Sequence, residues 1–194
     1  MNSSSKRPPK EPKERVRADL KFDPNMLRNE KLLVSEIERI LGLSKQEASR
    51  IIDETSGTAY RRVHEILTSA LDRVVEVVYA EKLKFESIEA SGQKIPEQEI
   101  EEVKKSLSAL LTDLGKALIM VRYQRARGQI STSLANYADS IVRNVIDHIK
   151  SVESINKEKL QEIERLATNA RSLLDSLAVL VYEYTKERHE RERE

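Results

Sequence analysis

Between Lys116 and Arg127 the chain reads KALIMVRYQRAR, and projecting this segment at 100° per residue separates two chemically different faces. Ile100, Val103, Leu107, Leu110, Leu114, Leu118 and Val121 fall on one stripe, while Lys105, Lys116, Tyr123 and Arg127 fall nearly opposite. The apolar stripe needs a core to pack against. The opposite row carries cations with an aromatic ring among them, the equipment for neutralising phosphates and stacking a base. The same row is also what an ordinary solvated helix face looks like, with Tyr123 packed on a neighbour. Arg125 projects to the core side, where it is expected to snorkel or pair with an acid. Arg122 and Arg143 add to the candidate cations, the latter on the next helical segment.

Side chains for catalysis are sparse. His64, His148 and His189 are far apart, no paired-carboxylate or HExxH pattern surrounds them, and no cysteine is present for a thiolate, a disulfide or a zinc ribbon. Five glycines in 194 residues build no Gly-rich phosphate cradle. The expectation is a protein that is not an enzyme, with no catalytic residue, no metal ligands and no cofactor.

Charge is balanced overall, at +1, yet uneven along the chain. Between residues 116 and 150, six Lys or Arg against two Asp leave +4. Residues 1 to 31, with nine bases against five acids, also leave +4. Attraction to nucleic acid would therefore come from local clusters rather than a global field. No apolar run approaches the roughly 20 residues that span a bilayer, and the charged N-terminus lacks the apolar core of a signal peptide. A cytoplasmic protein with no membrane partner is expected.

The elements that must position these residues follow from caps and breakers. Residues 1–25 hold four of the five prolines and little hydrophobic periodicity, and are expected to form a disordered basic tail. A helix of about residues 29–41 ends at Gly42, and Ser44-Lys-Gln-Glu47 is a capping box opening a second short helix. Longer helices are expected over about 58–90, 96–127, 132–151 and 157–188, punctuated by Ser91-Gly92, Pro96 and Gly128. No segment alternates with period two. The predicted fold is all-α: an antiparallel bundle of about six helices over 29–188, one domain with residues 29–56 as an appended helical hairpin.

From Tyr60 to Lys186 the chain resembles the small, inner-strand subunit of type III-A CRISPR effector complexes, the Csm complex. Arg61-Arg62 open a long helix, Tyr123-Gln-Arg-Ala-Arg127 is similar to the family's Tyr-Gln-x-Gly-Arg, and Leu177-Ala-Val-Leu-Val-Tyr182 precedes a basic-aromatic end. Ala126 stands where the family has Gly, with Gly128 after the Arg. The resemblance implies a non-catalytic, prokaryotic antiviral-defence protein that stacks in several copies along the effector, with guide RNA, target RNA and the other subunits as partners. It implies RNA-backbone contacts at Arg62 and Arg127, with Tyr123 beside them and Arg61 adjoining. Lys116, Arg122 and Arg143 join the RNA-binding set on projection and charge alone. Two other functions fit the residues. Ile40 to Ile52 has the helix, Gly turn, capped helix pattern of a helix-turn-helix, giving a DNA-binding regulator that reads through Ser44 to Asp53, and the apolar stripes also suit a helical protein-interaction bundle.

Overall fold

The computed structural model describes residues 20–191, with side chains to residue 186. A 3-10 turn at Pro24–Leu27 precedes α1 (Glu30–Leu41), α2 (Lys45–Ile52), α3 (Gly57–Ala90), α4 (Glu97–Ala126), α5 (Thr132–Ser151) and α6 (Lys157–Arg191). Among the described residues there is no strand, and the protein is an all-α helical bundle. The starts are written in local chemistry. Asn29 Oδ1 accepts from the amides of Lys31 and Leu32, and Ser44 and Glu47 make the expected reciprocal capping box. Ser56 and Ser131 cap α3 and α5 through their hydroxyls. Gly128 adopts φ +67° just past α4, where a side chain would be strained.

Helix α6 is the hub. Its apolar positions Leu160, Leu166, Ala170, Leu173 and Leu177 are buried as their helical spacing requires, Leu180 joins them at 5% exposed, and buried positions cover more than half its circumference. The reason is that α1, α2, α3 and α5 all pack on it. Helix α4 packs chiefly on α3 and α5, leaving a long face outward. Pairings of Arg73 with Asp113 and of Glu81 with Ser106 set α3 and α4 antiparallel, and pairings of His64 with Asp175 and of Lys82 with Glu164 do the same for α3 and α6.

The chain departs from expectation at its N-terminal boundary. Residues 20–25, assigned to the tail with the proline-rich, charged stretch 1–25, belong to the folded body. Leu20 and Phe22 pack on the core, the Phe22 ring meets Tyr137 edge-on at 6.0 Å, and Leu27 is fully buried with its carbonyl held by Asn169 Nδ2 at 2.9 Å. A segment this short has no helical period to show, so its docking is invisible to pattern reading. Residues 1–19 of the expected tail lie outside the described residues.

Candidate nucleic-acid interface

The expected core stripe of α4 is buried as projected, from Val103 through Leu107, Leu110, Leu114 and Leu118 to Val121, with Ile100 half-buried. Ala117 and Gln124 join it. Lys116, Tyr123 and Arg127 are exposed on the outer side. What the sequence of α4 does not tell is which neighbour lies beside that row.

The antiparallel register answers this. Arg62, Ile66, Ser69 and Arg73 of α3 are spaced i, i+4, i+7, i+11, and so are Lys116, Met120, Tyr123 and Arg127 of α4; each set forms one row along its helix. The two rows run side by side in opposite directions. A groove between them is floored by Ile66, Ala70, Ala117 and Met120 and edged by Arg73, Asp113 and Lys116. Because Ser56 N donates to Gln129 O at 2.9 Å, the start of α3 and the end of α4 lie at one end of the bundle. That shared end carries Arg62 on one row and Tyr123 and Arg127 on the other.

Electrostatically the groove is one-sided. Four cations, Arg62, Arg73, Lys116 and Arg127, stand along the two rows against a single carboxylate, Asp113. Arg73 Nη1 reaches Asp113 Oδ2 at 2.9 Å and Lys116 Nζ lies 3.5 Å from its Oδ1. Among the described residues no ion pair engages Arg62 or Arg127. The Arg127 guanidinium lies 5.5 Å from the centre of the Tyr123 ring, which keeps 52% of its surface exposed. Such a pair presents a flat aromatic surface backed by a delocalised cation, suited to stacking beside a phosphate. Beyond the groove, the first turn of α4 is acidic, with Glu97 and Glu99.

The remaining expected residues are elsewhere. Arg61 lies on the α6 side of α3, 3.3 Å from Glu65 and close enough to act on Tyr182. Arg122 and Arg143 both bind Asp139 of α5, one to each oxygen, on the opposite flank of α4. Two guanidinium groups sharing one carboxylate leave one net charge rather than two. Arg125 does not snorkel into the core and meets no acid among the described residues: it is exposed, and its Nη1 donates to Asn136 Oδ1 at 2.7 Å. Arg73 was not among the sequence candidates, although the same projection applied to α3 places it on the row of Arg62.

Helix α2, the expected recognition helix, is a two-turn wedge. Ala48, Ile51 and Ile52 are buried against α5 and α6, and Ser49 Oγ accepts from the Tyr184 hydroxyl at 2.8 Å. Ser131, the cap of α5, ties to it by donating its hydroxyl to Ile51 O. What remains outward is short and mixed, with Asp53 and Glu54 following Arg50. His64 pairs with Asp175, and His148 is buried beside Arg28 and Glu162. Among the described residues no helix is long and apolar enough to cross a membrane. Compared with known proteins, the chain matches no family model, no curated protein and no solved structure.

Proposed function

We propose that this protein is a non-catalytic RNA-binding subunit that grips a ribose-phosphate backbone along the α3–α4 groove, in the manner of the small subunit of a type III-A CRISPR effector. It would stack in several copies beside guide and target RNA in the cytoplasm. The observation that carries this reading is the convergence of Arg62 with Tyr123 and Arg127 at one end of the bundle, none of the three tied to an acid among the described residues. Two unpaired guanidinium groups and an open aromatic ring favour sequence-independent binding to phosphates over readout of base edges. The wedge-like packing of α2 makes a major-groove DNA reader the weaker reading.

The test is a salt series of affinities for unrelated single-stranded RNAs. Replacing Arg62 and Arg127 by Ala should flatten the slope of log affinity against log salt by about 1.4, or 0.7 for each lost contact, equally for every sequence. Arg122→Ala with Arg143→Ala, on the other flank, should change it little. Unchanged RNA affinity in the first pair, with helix content intact, refutes the proposal.

A further inference from the structure

Asp113 stands out in the groove because of what its two oxygens do. Each faces a different cation, Arg73 Nη1 across the groove and Lys116 Nζ one turn along its own helix. Among the described residues lining the groove it is the only acid. Its side chain is 27% exposed, against 60% for Arg73 and 71% for Lys116, so the carboxylate sits below the cations rather than beyond them. A carboxylate bridging a guanidinium and an ammonium occupies the place that two non-bridging phosphate oxygens would take.

We infer that Asp113 is a built-in competitor for the RNA backbone, holding Arg73 and Lys116 so that the grip is confined to Arg62, Tyr123 and Arg127 at the open end. This rests on the RNA-binding reading above. It adds Arg73 as a latent phosphate ligand and assigns Asp113 the role of limiting how far along the groove the strand is held. A limited grip suits a protein whose strand must exchange. Half-exposed ion pairs are weak enough for a phosphate to contest but cost something to break.

The decisive variant is Asp113→Asn, which keeps the shape and removes the charge. Binding to a single-stranded RNA should tighten about threefold to tenfold, the size set by two surface ion pairs that no longer have to be broken. The salt dependence should steepen by about 0.7 for each recruited cation, up to about 1.4. The gain should vanish when Arg73→Ala and Lys116→Ala are added. Asp72→Asn serves as the control, since it removes the same charge from the α6 side, where Asp72 pairs with Arg171 at 2.7 Å. It should shift affinity less than twofold. Circular dichroism checks the fold, and Asp113→Ser repeats the experiment if the Asn variant is unstable. No tightening in a folded Asp113 variant, an equal gain from Asp72→Asn, or a gain that survives loss of Arg73 and Lys116 would each overturn the inference. Normal weakening by Arg62→Ala with Arg127→Ala alongside a silent Asp113→Asn removes only this inference. If that Arg62 and Arg127 pair is itself silent, the RNA-binding reading is what fails.

Discussion

Glu36 is a carboxylate only 5% exposed, and three donors converge on it. The Tyr137 hydroxyl of α5 donates to Oε1 at 2.5 Å, and Arg39 donates from Nε to Oε2 and from Nη2 to Oε1, both at 2.7 Å. Burial and this bond to Glu36 push the Tyr137 hydroxyl well above the usual tyrosine range, so it stays protonated and donating. Tyr137→Phe removes one hydrogen bond to a charged group, worth about 1.5–3 kcal/mol. The low end applies, because Arg39 still serves the same oxygen and the ring still meets Phe22. Near 2 kcal/mol, in a chain of this size, means a fall in Tm of about 4–8 °C.

The sharper expectation is a change of sign. Glu36→Leu strands the buried Tyr137 hydroxyl, at about 1–3 kcal/mol, while Arg39, 44% exposed, turns to solvent at little cost. Adding Tyr137→Phe to Glu36→Leu then removes an orphaned group and should restore stability, whereas the same change in the native background lowers it. Urea denaturation of the four proteins, with m-values compared to confirm two-state behaviour, measures the cycle. Additive effects, with coupling below about 0.5 kcal/mol, would refute the view that α1 is fastened to α5 through this carboxylate.

Two further outcomes follow from the docking of the segment before α1. Leu27→Ala should cost about 2–5 kcal/mol, as for other fully buried leucines, and a thermal shift within error would mean that residues 20–27 are not part of the cooperative unit. His148 is held below the usual histidine range by burial, with Glu162 opposing and the Arg28 and Lys159 charges reinforcing. Arg28 Nη2 lies 3.4 Å from His148 Nδ1 and can only donate, so that nitrogen must stay unprotonated. A lowered folded pKa means the stabilising term is complete above the unfolded value of about 6.5 and is lost as pH falls through that value and past the folded one. Stability should therefore drop between pH 7 and 5 by at most about 1.4 kcal/mol per pH unit, and His148→Gln should abolish that part of the slope. Equal slopes in the two proteins would contradict this.

The sequence by itself determined the helices and, on each, the angle at which every side chain leaves the axis. Gly42, the Ser44 capping box, Pro96 and Gly128 act within a few residues, and the stripe from Val103 to Val121 depends only on a period of 3.6. Those are local properties of the chain. The outward position of Lys116, Tyr123 and Arg127 was legible for the same reason. Tertiary structure alone decided what faces them, because the neighbour and its register are fixed by packing summed over residues distant in sequence. It separated Arg62, on the α4 side of α3, from Arg61 on the α6 side. It handed Arg122 and Arg143 to Asp139, set Asp113 between Arg73 and Lys116, and drew Phe22 and Leu27 into a core that no periodicity announces. A charged side chain's partner lies across a helix interface, and a sequence read one helix at a time holds only half of each such pair.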